Sequence, residues 1–444
     1  MIVPDHYLTY LAFALLGTLL GSLLSLIPSL HVYNVIGFVV LVYLPFAQVL
    51  EPLAMIALLI GMLTGYAFLF QAQTILLNVP DDSTVFILLP GSKYLLQKRG
   101  YEAVLLAGLG GLIGIFFIVL IIPPAMSVLA ALRKLLTPEI LFVVIGAVIF
   151  FILLSEWPKD FGRGKTRAQR LKDGWSSLAG GYLTFLLASL LGIIIFNTTL
   201  IPVERSFMQL SLPFIGLFAV PALLLNIISE LGIPKQHITK SVDVTAEEIT
   251  RGAVAGCAGG AFGAFVPAVT AGVAGLLAGH ATAQKGDKPF IISLGAARIV
   301  YYVGAVILFF LPLLHLRRGW LSVSINMFFI PETQEQFLIV AAIVAICGFV
   351  AFILLLAFSR VMIKVITKYS YRKLSLAVLL AIIGLVFVIG SWQGLVITFV
   401  ASAIGLIPIM FHSRRINCLA VLLVPLWLNI GGYGSAIASC LGLV

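Results

Sequence analysis

Three stretches of this sequence gather polar side chains inside apolar surroundings, and their chemistry is that of binding rather than bond making. In PSLHVYN (28–34) a proline is followed by Ser29, His31 and Asn34. Proline lacks an amide hydrogen and blocks the turn before it. One helix therefore ends at Pro28 and a second can begin at Ser29, with His31 in its first turn and Asn34 one turn on. Such a start leaves N–H groups unpaired and carries partial positive charge, which suits an anion. A second break, PAVTAG (267–272), offers Pro267 and Thr270. The polar groups at both breaks suit a substrate, and they equally suit bonding to backbone opened by the kink. Between the breaks, NVPDDSTVFILLPGS (78–92) holds Asn78, the adjacent carboxylates Asp81 and Asp82, and the Pro-Gly-Ser run that contains Gly91 and Ser92. Paired carboxylates can bind a coupling cation or carry protons, or they can be solvated turn residues. The Pro-Gly-Ser run can form a backbone nest for an anion or an ordinary turn. Arg298 is the deepest charge: a helix beginning near Pro289 puts it roughly 13 Å in at ~1.5 Å per residue. An intramembrane ionisable group is a functional candidate, unless it snorkels to the interface.

The elements that must position these residues are apolar. Of 444 residues, 61% are hydrophobic and 10% charged, whereas a soluble domain carries about 25% charged residues. Runs of roughly 18 or more apolar residues, each long enough to cross a ~30 Å hydrocarbon layer, recur from end to end. This excludes a soluble protein. The net charge of +10 sits in short loops at 159–172, 359–373 and 412–415. That is the positive-inside pattern rather than a nucleic-acid surface. Cys257, Cys347, Cys418 and Cys440 lie in apolar segments without metal-site spacing and read as small buried hydrophobes. The N-terminus lacks the features of a cleavable signal peptide. Trp157, Trp175, Trp320 and Trp392 flank spans as interfacial anchors, and His280 ends the second hairpin as a capping residue.

An apolar hairpin is expected at 8–47, interrupted at Pro28, followed by crossings at 51–70, 102–123, 138–155, 176–197 and 209–229. After a linker at 230–251, a second hairpin at 252–282 is interrupted at Pro267, with crossings at 289–314, 336–358, 374–391, 394–411 and 418–442. A shift of 239 residues superposes Gly17 on Gly256, Gly21 on Gly260 and Pro28 on Pro267. Glycines four apart give a helix one smooth face for close approach. With the basic loops placed inside, the first hairpin opens outward and the second inward; one loop fits less well, since Arg317 and Arg318 would lie outside. The expected fold is therefore an all-α polytopic membrane protein of two inverted-topology repeats, 1–229 and 252–444. Each repeat is a Pro-broken re-entrant hairpin plus about five transmembrane helices, a transporter architecture. The expected location is multi-pass in the cell (cytoplasmic) membrane.

Gly17, Gly21, Pro28, Ser29, His31, Asn34, Asn78, Gly91, Ser92, Gly260, Pro267, Thr270 and Arg298 form the expected substrate site, with Asp81 and Asp82 for a coupling ion. No Walker loop, HExxH or GxSxG is present, so neither an enzyme nor a cofactor beyond Na+ or H+ is expected, and no metal centre.

These residues resemble the large membrane subunit of the tripartite tricarboxylate transporters, the TctA family, and its archaeal-type branch in particular. GTLLGSLLSLIPSLHVYN resembles the family's glycine-rich N-terminal signature and the branch's His-x-Asn region. LLNVPDDSTVFILLPGSKYLLQKRG is similar to the family's Asn-x-Pro-Gly … Asp-Gly region, and GCAGGAFGAFVPAVTAGVAGL to its internal copy. Ser25, Ser29, Asp81 and Ala268 stand where the family usually has glycine. The resemblance implies inward transport of organic anions such as tricarboxylates on a cation gradient, with a small membrane subunit and an extracytoplasmic binding protein as partners. Two other functions fit opposed re-entrant hairpins: a translocase for a lipid-linked phosphate, and a non-transporting membrane scaffold.

Overall fold

A single apolar segment can satisfy its backbone in hydrocarbon only as a helix. The computed structural model, which describes residues 5–27, 32–43, 50–81, 83–84, 86–156, 166–201, 209, 211–229, 234–239, 241–267, 269–282 and 286–443, is helical with no strand among them. Among the described residues ten helices are long and apolar enough to cross a membrane, or eleven if a pair bent by 112° near the C-terminus counts as one span. The chain divides into two units, residues 1–134 with 226–378 and residues 135–225 with 379–444, so each unit draws on both halves of the sequence.

In the first unit α1 (Asp5–Leu24) and α2 (Val32–Tyr43) are followed by α3 (Pro52–Leu77), the short α4 (Leu88–Leu96) and α5 (Gly100–Phe116), which runs on through a π turn to Ile121. α6 (Met126–Leu135) has no buried residue and carries Arg133 and Lys134 in its last turn, as an interfacial helix does. The chain returns to this unit with α11 (Ala246–Phe265), α12 (Ala271–Ala281), α13 (Asp287–Phe310), α14 (Gly319–Ile325) and α15 (Gln334–Lys368). α11 and α15 each begin with a reciprocal capping box, Thr245 with Glu248 and Thr333 with Gln336, which satisfies amides that would otherwise be orphaned.

Lipid tails are as apolar as leucine, so helices associate here by close packing of small residues. Gly17 and Gly21 lie against the carbonyl oxygens of Leu58 and Met62, so α1 and α3 run in the same direction. Gly252, Gly256 and Gly260 lie against the carbonyls of Pro289, Ser293 and Ala297, so α11 and α13 also run together. Gly110 and Gly114 meet Ile292 and Ala296, aligning α5 with α13, whereas Gly111 meets Phe68 and Gly100 meets Leu76, setting α5 against α3. α1 and α3 therefore run opposite to α5, α11 and α13.

The second unit holds α7 (Pro138–Ser155), α8 (Arg167–Asn197), α9 (Ser211–Phe214), a π turn to Ala219, and α10 (Val220–Ile228) up to Leu225. It also takes α16 (Tyr371–Met410) from Leu379 on, α17 (Ala420–Ile430) and α18 (Gly434–Cys440). α16 is broken at Ser391, where φ is 55°, a conformation that is strained for a residue with a side chain. This separates the two crossings expected at 374–391 and 394–411. Trp427 stacks on Phe142 at 4.8 Å and donates to its carbonyl at 3.0 Å.

Three short helices, α4, α6 and α14, were not expected from hydropathy, because each is too short to register as a span. Cys440 is exposed, against the expectation of four buried cysteines; Cys257, Cys347 and Cys418 are buried.

Glu156, just past α7, is 2% exposed. Its carboxylate accepts from the Arg414 amide at 3.1 and 3.2 Å and from Asn417 Nδ2 at 2.7 Å. Burial raises its carboxyl above the ordinary 4.5, against the opposing pull of those donors. The folded form therefore holds this proton more tightly than the unfolded chain. Stability from this group is fully present below that ordinary value and declines as pH rises through the raised folded one. Glu156→Gln removes the titration: thermal unfolding should find the variant more stable than the parent at pH 8, with the gap closing at pH 4. A gap that does not change with pH would contradict this.

Candidate functional site

The first unit encloses one guanidinium in its core. Arg298 follows Asp287, the first residue of α13, by eleven positions, about three turns, and is 1% exposed. A buried charge is tolerated only when it is paired and hydrogen-bonded. Nη1 reaches both oxygens of Asp81 at 3.1 and 2.9 Å, and also the Ser83 hydroxyl. Nε donates to the Ala67 carbonyl at 3.1 Å. Phe70, Tyr302 and Tyr66 lie 4.9, 5.0 and 5.5 Å from the guanidinium carbon, within cation–π range. Arg298 is thus held deep in the protein and does not snorkel.

Asp81 is fixed in turn by its own loop. Its Oδ1 accepts from the amides of Ser83 and Thr84 at 3.0 and 2.8 Å and from their hydroxyls at 2.7 Å each. The Thr84 hydroxyl also receives Thr74 of α3 at 3.0 Å, tying the loop to the helix. Short polar side chains that bond to nearby backbone favour such turns. The loop can leave α3 there because Asn78 ends the helix with φ 58°, a left-handed conformation that asparagine tolerates. Asn78 Nδ2 donates to Asn226 Oδ1 at 3.0 Å and Asn78 Oδ1 accepts from Ser92 at 2.9 Å. Asn226 in turn donates toward the Leu77 carbonyl and the Tyr371 hydroxyl at 3.4 Å each.

The structure therefore brings Asn78 and Ser92 together, and joins Asp81 to Arg298, 217 positions away. Gly91 and Ser92 lie inside α4, where Gly91 abuts Ile75; the run forms neither a nest nor a turn, because Pro90 falls early enough in the helix to be tolerated. Gly17, Gly21 and Gly260 lie at the helix contacts described above. Pro28, Ser29, His31 and Asp82 are outside the described residues, as is the side chain of Asn34.

The second break is in view. α11 ends at Phe265, Pro267 lies in the turn, and Thr270, 2% exposed, is the N-cap residue of α12. Arg318 Nη2 donates to the carbonyls of Gly263 and Val266. A helix end leaves carbonyls without partners and favours a cation, which explains an arginine in a loop where the charge rule expected none. Arg318→Met should cost about 1–3 kcal/mol by stranding these acceptors, with no change in helix content; chemical denaturation in detergent would measure it, and a neutral result would show that other groups close the break. His280 Nδ1 lies 2.8 Å from the Leu276 carbonyl, a local cap. Among the described residues no cluster of three or more His, Cys, Asp or Glu could hold a metal.

Sequence reading noted Ser83 only as part of a polar turn, and missed Tyr66, Phe70, Gln73, Thr84, Tyr302 and Asn226. The signal for part of this set was present: Tyr66, Phe70, Gln73 and Thr74 share one helical face of a largely apolar span.

Comparison with known proteins adds three findings. An uncharacterized protein of Methanocaldococcus jannaschii is 25% identical over 427 residues, covering 94% of this chain and 97% of that one. No solved structure matches. The profile of the tripartite tricarboxylate transporter TctA family matches residues 11–420, and with ten apolar spans and a paired buried charge this multi-pass membrane protein belongs to that family.

Proposed function

We propose that the chain is the permease of a secondary active transporter for an organic anion such as a di- or tricarboxylate, with Arg298 as the group that meets the substrate. Family membership makes it a component of a tricarboxylate transport system; the substrate, site and coupling are this proposal. The observation that carries it is the buried guanidinium whose Nη1 and Nε are engaged while Nη2 has no partner among the described residues. A fork that is half used has a donor left for one more oxygen.

The same geometry argues for cation coupling. Arg298 and Asp81 neutralise each other, so a substrate carboxylate entering beside them brings an unbalanced charge. Burying such a charge costs several kcal/mol, which a co-transported Na+ or H+ would offset. Four of the donors on Asp81 come from Ser83 and Thr84. With its lone pairs held this way and paired to Arg298, Asp81 serves in this proposal as the fixed counter-ion. The opposed directions of α1–α3 and α11–α13 support an inverted pair of hairpin repeats, in which the break at 266–270 supplies one wall of the site. A small membrane subunit and an extracytoplasmic binding protein complete the proposed assembly, in the cytoplasmic membrane.

Uptake of labelled citrate into vesicles holding the purified chain, with Na+ or proton gradients imposed and then collapsed, tests the proposal. Uptake that persists without either gradient would refute coupling, and none with any carboxylate would refute the permease.

The reading as a lipid-phosphate translocase has one observation of its own. An apolar cavity of about 240 Å³ lies among Phe117, Ile122, Leu129, Phe262, Phe265 and Leu308, beside the second break. Movement of a fluorescent lipid phosphate between leaflets would favour it over carboxylate uptake.

A further inference from the structure

Gln73 is completely buried, and neither its amide nitrogen nor its amide oxygen has a partner among the described residues. A primary amide carries two donors and an acceptor oxygen with two lone pairs, and leaving all of them unmade in the interior is among the costlier faults a fold can hold. Its position is informative. Gln73 follows Tyr66 by seven residues and Phe70 by three, on the face of α3 whose rings meet the guanidinium of Arg298. It lies about 4.5 Å further along the helix axis than Phe70, toward the end where Thr74 bonds Thr84 and so the Asp81 loop. Arg298 Nη2 also lacks a partner among the described residues. Its sister nitrogen is committed to Asp81 and Ser83, so the guanidinium alone cannot clamp a carboxylate with two nitrogens.

We propose that Gln73 completes the clamp and selects the substrate: Arg298 Nη2 and Gln73 Nε2 each donate to one oxygen of a carboxylate, and Gln73 Oε1 accepts from a hydroxyl on the neighbouring carbon. The ligand class is an α-hydroxycarboxylate. This rests on the transport reading above and adds to it the residue that tells a hydroxy acid from its deoxy analogue.

The test compares acids of equal charge that differ by that hydroxyl, malate with succinate and citrate with tricarballylate, by equilibrium binding to the full chain in lipid nanodiscs. The parent should prefer the hydroxy acid by about tenfold, the worth of one net hydrogen bond. Gln73→Leu should abolish the preference while melting no lower than the parent, since it removes an unpaired polar group. Gln73→Met serves as a second variant of closer shape should the first fail to fold. A preference unchanged in a folded variant would overturn the inference. So would a variant that melts higher with every affinity intact, because the amide would then hold only a buried water. A parent that binds both acids of a pair equally would overturn this inference and leave the transport reading standing. A folded parent that binds none of them would remove both.

Discussion

Asp81→Asn should destabilise the protein by about 3–5 kcal/mol, because it leaves the Arg298 guanidinium charged and buried without a counter-ion. Arg298 is 1% exposed and the Asp81 side chain 10%, so neither can turn to water without unpacking the rings of Tyr66, Phe70 and Tyr302. Arg298→Met should cost less than Asp81→Asn, since the orphaned carboxylate keeps the four donors of Ser83 and Thr84. The double variant should recover much of the loss, because removing both charges also removes the desolvation each imposed. Unfolding by SDS in mixed micelles, run as a double-mutant cycle, should return a coupling above about 1.5 kcal/mol, within the range for residues in one ion-pair network. Additive losses would show that the pair is not coupled. Transport separates the two roles of the arginine: the stable double variant should fold and fail to take up anion. If it transports normally, Arg298 is structural only.

Gly21→Ala should cost about 3 kcal/mol, at the upper end of what overpacking a close contact does. A Cβ there would overlap the carbonyl, carbonyl carbon and Cα of Met62. These are backbone atoms of α3 and cannot rotate away, so α1 and α3 must separate along their whole contact. Gly384→Ala is the opposite case: no atom lies within 4 Å of the added methyl. The interior of α16 should gain roughly 0.5–1 kcal/mol, the entropic cost that glycine imposes on a helix. The two substitutions are chemically identical, so a difference in sign isolates the helix contact. Equal effects would mean that α1 can shift along α3 without penalty.

Much of the site was legible residue by residue. Arg298 was identified from its depth in an apolar run, Asp81 and Asn78 from a polar turn between spans, and Pro267 from the break it imposes. The glycine pairs were recognised as smooth helix faces, but the sequence could not say whether that smoothness admits a substrate or another helix. The backbone carbonyls of Leu58, Met62 and Ala297 meet them. Arg318 stood out only as an exception to the charge rule, and its use became clear when the open carbonyls of Gly263 and Val266 were found beside it. Gln71 and Gln73 passed unremarked because two amides barely lower the hydropathy of a span.

The sequence by itself determined that the chain is helical and spans a membrane many times, and where most spans begin and end. These follow from local properties: apolar length, the missing amide of proline, and the cost of unpaired backbone in hydrocarbon. Tertiary structure alone decided which charge meets which. Arg298 and Asp81 lie in different halves of the sequence, and no periodicity couples positions so far apart; packing that includes the close glycine contacts aligning α5 with α13 and setting α5 against α3 brings them together. Burial then makes that pairing matter, since Arg298 without Asp81 would be a buried charge with no counter-ion.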